Sequence, residues 1–270
     1  MTPTSRHIEA NGLSIHYVDW GGEGKQPMVL LHGLQDCARL WDYFALPMSA
    51  KYHVIAVDHR GHGDSPRATP ESYKLTDYVS EVGDVIEGLG LTDVVLAGHS
   101  AGSKNAWIYA AGHPGRISRL IITDMDPDSH NPGSVEMISR YKSEDDDYAD
   151  LAAVIERLRS RQPHSTDDVL EHCAVHLTKP NGSGGLVWKR DRTVVTAYDR
   201  PEAWGFLPQL SVPTLIVRGA DSTLLTSPVA RRMNDMIPDC RLVELPHAAH
   251  WVHLEQIEAY QRTVEEFLEG

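Results

Sequence analysis

Short, continuous apolar runs dominate the pattern of this chain, with longer amphipathic stretches between them. The runs at 28–31, 53–57, 94–96, 117–123, 213–218 and 241–245 are too short for helices and rich in Val, Ile and Leu, which predicts buried strands. The stretches 38–48, 77–89, 104–111, 227–237 and 255–268 space their apolar residues as helices do. In the second of these, Val79, Val82, Val85, Ile86 and Leu89 share one face, and Gly90 ends it. Near the start, the runs 7–10 and 13–20 flank Asn11-Gly12, the strongest short signal for a hairpin. Eight strands are predicted in all. Strands alternating with helices, several of them apolar on both sides, predict an α/β fold: a mostly parallel eight-stranded sheet with helices on both faces.

The pattern changes after Asp126. Residues 127–206 are polar and helical in spacing, with an acidic run from Glu144 to Asp147 and a glycine-rich loop at 180–185. This predicts a helical lid inserted into a core formed by residues 1–126 and 207–270. The 270 residues suffice for one α/β domain with such an insertion.

Composition narrows the function classes. Hydrophobic residues make up 41% and charged residues 23%, an ordinary balance for a globular chain rather than a disordered or membrane-spanning one. A formal charge of −13 argues against nucleic-acid and anionic-membrane surfaces. The three cysteines, Cys37, Cys173 and Cys240, are scattered and fit neither a disulfide framework nor a zinc pattern, so buried thiols are expected. The first residues carry no apolar leader run, and a cytoplasmic protein is expected. The expected partners are a small-molecule substrate and, as a candidate assembly, a second copy in a homodimer.

One stretch carries chemistry on its face. The strand at 94–96 turns through Gly98-His99-Ser100-Ala101-Gly102 into the helix at 104–111. That is G-x-S-x-G between a strand and a helix, the setting that lifts a nucleophilic serine out of a sheet. A serine hydroxyl is a weak nucleophile near neutrality, so Ser100 needs a base, an orienting acid and donors for an oxyanion. His250 is the expected base, because it follows the last strand and precedes the last helix; His247 and His253 compete from the same loop. One oxyanion donor is expected from the Ala101 amide. The other is expected from Leu34, in the loop after the strand at 28–31, where Gly33 permits close approach. Asp124 and Asp221 both stand at strand ends and compete as the acid. No metal or organic cofactor is required by this set.

Taken together, Leu31-His-Gly-Leu34, Asp58-x-Arg-Gly-x-Gly-x-Ser65, the elbow at Ser100 and Ala249-His-Trp251 resemble the α/β-hydrolase superfamily along essentially the whole chain. That resemblance implies a Ser-His-Asp hydrolase acting on a small ester, lactone or amide through an acyl-enzyme. Its rivals are a carbon–carbon bond hydrolase acting on a vinylogous diketone and a hydrolase-fold receptor with little turnover. The family usually places its acid three or four residues after the glycine that ends the seventh strand. Counted from Gly219, those positions hold Ser222 and Thr223, and Asp221 comes one residue early. A minority takes the acid from the end of the sixth strand, where Asp124 stands, and the pattern resembles amide- and enamide-cleaving members. Asp124 is therefore the preferred acid. The same resemblance implies that Arg140 and Arg161 in the lid face a substrate carboxylate and that Trp188 lines the pocket.

Overall fold

The computed structural model describes residues 2–270. A hairpin opens the chain, β1 (Thr4–Ala10) and β2 (Leu13–Asp19), paired from Thr4 opposite Asp19 to Ala10 opposite Leu13. Asn11 and Gly12 both take positive φ, 46° and 76°, as a two-residue turn of this hand requires. Then follow β3 (Pro27–Leu31), a 3₁₀ turn (Ala38–Trp41), α1 (Asp42–Met48), β4 (His53–Val57) and α2 (Leu75–Gly88). The elbow region supplies β5 (Val94–His99), α3 (Ala101–Gly112) and β6 (Ile117–Thr123).

The sheet order is β1-β2-β4-β3-β5-β6, completed by β10 (Thr214–Gly219) and β11 (Cys240–Leu245). Only the β1–β2 and β2–β4 pairings are antiparallel; the remaining five are parallel. The alternation of side chains explains the unbroken apolar runs. Val29, Leu31, Ile55, Val57, Leu96, Ile122 and Ile216 pack on one face with residues of α2, α3 and α8 (Ser227–Met236). Their neighbours Met28, Leu30, Val54, Ala56, Val95, Ala97, Ile121 and Leu215 pack on the other, with α1 and the C-terminal helix. Both faces are thus buried, as a mostly parallel sheet demands.

β6 and β10 are adjacent in the sheet, so everything between them is an insertion at the carboxyl ends of the strands. It contains α4 (Pro132–Ser143), β7 (Asp147–Tyr148), α5 (Leu151–Arg159), α6 (Asp167–Leu177), β8 (Thr178–Pro180), β9 (Leu186–Trp188) and α7 (Arg192–Ala197). The three strands form a separate small sheet in the order β7-β9-β8. The insertion is therefore not purely helical: strands of two or three residues are too short to leave a period in the sequence. Val154, Leu158, Val169, Leu170, Cys173, Leu177 and Trp188 form its core, which is closed against the main body by Cys37, Leu40, Trp251 and Leu254. After β11 the chain forms α9 (Val252–Glu255) and α10 (Ile257–Glu269), two helices where one was expected, separated at Gln256. No helix among the described residues is long and apolar enough to cross a membrane.

Candidate active site

The glycines around Ser100 are demanded by contact. A Cβ on Gly98 would lie 2.4 Å from the Gly102 carbonyl carbon and the Ser103 nitrogen, and one on Gly102 would lie 2.3 Å from the Leu31 oxygen. Backbone cannot yield there, so α3 sits against the sheet only because both side chains are missing. The resulting turn holds Ser100 at φ 52°, ψ −124°, a strained setting for a residue with a Cβ. It is anchored by the Ser100 N–H donating to the Thr123 oxygen at 2.9 Å.

Around that serine the structure assembles a hydrogen-bonded line. Ser100 Oγ lies 3.0 Å from His250 Nε2, and His250 Nδ1 lies 2.9 Å from Asp124 Oδ1. Asp124 is fully buried and accepts from three groups: His250 Nδ1–H, the Gly219 N–H (3.0 Å) and the Ser222 hydroxyl (2.6 Å). A buried carboxylate so surrounded fixes the imidazole tautomer, with Nδ1 protonated and Nε2 free to accept from Ser100. Burial pushes His250 below the ordinary imidazole range, and the hydrogen bond to Asp124 offsets part of that shift. Asp221 stands elsewhere: its side chain is 51% exposed and meets His164 at 3.0 Å. Ser222, at a position where the family usually carries its acid, instead donates to Asp124. His247 is exposed, and His253 is buried against Trp41 and His99, so neither lies in the line.

The loop that carries His250 is held from two directions. The Ala249 N–H donates to Glu255 at 2.6 Å. The absence of a Cβ on Gly219 lets the Ala248 and Ala249 carbonyls press against the end of β10, at 2.3 and 2.1 Å from where that atom would be. His99, directly before the serine, donates its Nε2–H to the His250 carbonyl at 2.9 Å, tying the two loops together.

Opposite this line, the Gly33–Leu34 peptide passes against Ser100: a Cβ on Gly33 would lie 3.0 Å from Ser100 Cβ. His32 sets its orientation. The His32 Nδ1–H donates to the Gly33 carbonyl at 2.8 Å, and His32 Nε2 accepts from the His59 N–H at 3.0 Å. Burial and the neighbouring His59 and His62 hold the ring well below its ordinary pKa, hence neutral, as this donor–acceptor pattern needs. Because C=O and N–H point oppositely in a trans peptide, anchoring the Gly33 carbonyl aims the Leu34 N–H the other way. The amides of Leu34 and Ala101 donate to no acceptor among the described residues. The Leu31-His-Gly motif carried this role for His32, which sequence reasoning passed over.

Two cavities lie near this line, one bounded by His250 and the other by Leu34 and Ala101. On the His250 side lies a cavity of about 270 Å³ whose lining includes Arg140, Arg161, Met137, Leu224 and Trp251. Arg140, Arg157 and Arg161 all converge on Glu144, and Glu136 and Asp221 line the same cavity, so charges of both signs meet there. Arg161 is buried, paired with Glu144, with its guanidinium 4.4 Å from the Tyr141 ring centroid. Arg140 is the more open of the two predicted arginines, with 41% of its side chain exposed. Trp188 does not line this cleft: it is 2% exposed, in the core of the insertion, with its Nε1–H donating to the Gln35 oxygen at 3.1 Å. On the other side, Leu34 and Ala101 open onto a much smaller cavity lined by His59, His62, Tyr78, Asn105 and Tyr198. None of these five was singled out from the sequence, because they come from four separate segments. The cysteines offer no rival nucleophile: all three are free, and burial raises every thiol pKa.

Comparison with known proteins bears on the family and the fold. A family model described as alpha/beta hydrolase fold matches residues 26–256. The 2-(acetamidomethylene)succinate hydrolase of Mesorhizobium japonicum is 25% identical over 271 residues, covering 98% of this chain and 95% of that protein. Epoxide hydrolase 4 of Mus musculus is 38% identical over 116 residues, but that match spans only 43% of this chain and 32% of the relative. Among solved structures, an E-2-(acetamidomethylene)succinate hydrolase superposes with a TM-score of 0.92 at 23% identity, covering 99% of this chain and all of the other, which speaks to the fold. On the strength of the family match across most of its length, the chain belongs to the α/β-hydrolase fold family.

Proposed function

We propose that this protein is a serine hydrolase that cleaves a small carboxylic ester, lactone or amide through an acyl-enzyme. The observation that carries the reading is the hydrogen-bonded line from Ser100 Oγ through His250 to the buried Asp124 carboxylate. His250, neutral at pH 7 because burial lowers its pKa, takes the Ser100 proton as the hydroxyl attacks a carbonyl carbon. Asp124 holds the tautomer and stabilises the imidazolium that forms. The charge developing on the carbonyl oxygen rests on the Leu34 and Ala101 amides, one aimed by His32 and the other at the start of α3. The leaving group departs with the proton from His250, water enters by the same base, and the acid product is released.

The insertion, residues 127–206, acts as the lid of this site. Arg140 and Arg161 line the cleft beside His250 together with Glu136 and Asp221, and a guanidinium there suits an anionic substituent. The full-length relative hydrolyses a compound that is by name a succinate, which supports the same assignment. Mixing the protein with a p-nitrophenyl ester and following nitrophenolate release tests the reading. A burst of one equivalent per active site followed by steady turnover is expected. A single burst with no later turnover would mark a receptor, and no release at all would contradict the hydrolase.

A further inference from the structure

The small cavity beside Leu34 and Ala101 carries an unusual density of unpaired polar atoms. His59 Nε2, His62 Nε2, Tyr78 OH, Asn105 Oδ1 and Tyr198 OH are all buried, all belong to residues that line it, and none bonds to another or to any described protein atom. They arrive from the loop after β4, from α2, from α3 and from the C-terminal end of the insertion. Buried polar groups pair with one another, with backbone or with a small polar guest, an ordered water or a ligand group, because each orphan costs free energy. We infer that this cavity is a specificity subsite for one uncharged hydrogen-bond-donating group of the substrate, a hydroxyl or an amide N–H, read by His62 together with Tyr78 and Tyr198. The inference rests on the hydrolase reading, since it places the group next to the two oxyanion amides.

The chemistry of the lining selects that class. His62 Nδ1–H donates to the Arg60 carbonyl at 2.9 Å, and a carbonyl can only accept, so Nε2 presents a bare lone pair to the cavity. Whatever enters must therefore bring a proton to it. Burial keeps the ring neutral, with His62 lowered to about 4 and His59 to about 3, and burial likewise raises both phenols, so no lining group is charged. A carboxylate would meet no counter-charge here, and its oxygens would face the lone pair of His62. Arg60 does not line the cavity, and its Nε–H donates to buried Glu81 at 2.9 Å. A methyl group would leave all five polar atoms unpaired. The free space is that of about one water molecule, which admits a single hydroxyl or N–H and no longer chain.

Matched acyl groups that differ only in this atom test the idea. The p-nitrophenyl esters of 2-hydroxypropanoate and 2-methylpropanoate form one pair, and those of 3-hydroxybutanoate and 3-methylbutanoate another. For at least one pair, the hydroxyl ester is expected to exceed its methyl isostere by tenfold or more in kcat/KM. Tyr78→Phe and Tyr198→Phe, which remove only the phenol oxygens, are expected to reduce that ratio several-fold. The ratio is taken within one protein, so loss of folded enzyme cancels. Equal rates for both pairs, or a ratio untouched by both substitutions, would overturn the subsite. If neither ester is turned over, it is the nucleophile that has failed. The cavity is then read by binding, with the corresponding amides and Ser100→Ala: tighter binding of a hydroxy amide than of its isostere supports the subsite, and equal binding refutes it.

Discussion

Two aspartates at strand ends looked alike in sequence, and their surroundings separate them. Asp124 is buried, takes three donors and touches His250 at 2.9 Å, whereas Asp221 is half exposed and pairs with His164 at the surface. Replacing the orienting acid by its amide keeps the shape but favours the wrong tautomer, which in a serine protease costs ~10⁴ in kcat. Asp124→Asn is therefore expected to lose about four orders of magnitude in kcat, and Asp221→Asn to stay within about tenfold, both measured on the same ester. A reversed order would move the acid to Asp221. The pH profile follows from the same contacts. His250 must be neutral to accept a proton, and burial lowers its pKa, so kcat/KM is fully present at neutral pH and falls only as pH drops through a midpoint below the ordinary imidazole value of about 6.5. An acid limb centred above that value would contradict the buried, neutral base. The legible part of this site was its motifs: G-x-S-x-G and the histidine between the last strand and helix. Orientation was not legible, and orientation is what distinguishes the two acids.

At the scale of elements, α3 does more than carry Ser100 at its start. Lys104, one turn into that helix and almost wholly buried, reaches the Pro127 and Asp128 carbonyls at 3.4 and 3.3 Å and the Pro201 carbonyl at 3.3 Å. These carbonyls lie at the two ends of the insertion, so one side chain behind the serine ties both necks to the core. Burial, and then Arg200, lower its pKa from 10.5 to about 8. The unfolded chain thus binds more protons between about pH 8 and 10.5, and the lysine contribution to stability rises with pH across that window, by about 3 kcal/mol in all. Denaturant unfolding of the wild type against Lys104→Met at pH 7.5 and 10.5 checks this: the difference between the two proteins should shift toward the wild type at the higher pH. A pH-independent difference would mean that the lysine is not held as described. The strands of the main sheet were legible because burial on both faces leaves continuous apolar runs. The β7-β9-β8 sheet was not, since its pairing is long-range and its strands are two or three residues long.

Across the whole molecule, the two cavities near the serine differ: charged side chains of both signs line one, and only neutral ones line the other. A cleft lined by Arg140, Arg161, Glu136 and Asp221 lies beside His250, and an uncharged polar cavity lies beside Leu34 and Ala101. The two guanidinium groups of the charged cleft come from the insertion. Arg140→Gln is expected to raise KM for an anionic ester about tenfold or more relative to a neutral one, the loss of one charge-assisted contact of ~1.5–3 kcal/mol. Equal changes for both esters would return Arg140 to a surface role beside Glu144. The arginines could be named from a family resemblance, but the uncharged cavity could not, because His59, His62, Tyr78, Asn105 and Tyr198 converge only when four segments are folded together.

The central claim is that Ser100 is a nucleophile activated by His250 and Asp124. The most direct measurement is intact-protein and peptide mass spectrometry after treatment with a fluorophosphonate. A single adduct on the peptide containing Ser100 is predicted, absent in Ser100→Ala and strongly slowed in Asp124→Asn. Labelling that persists in Ser100→Ala, or an adduct on another residue, would contradict the account.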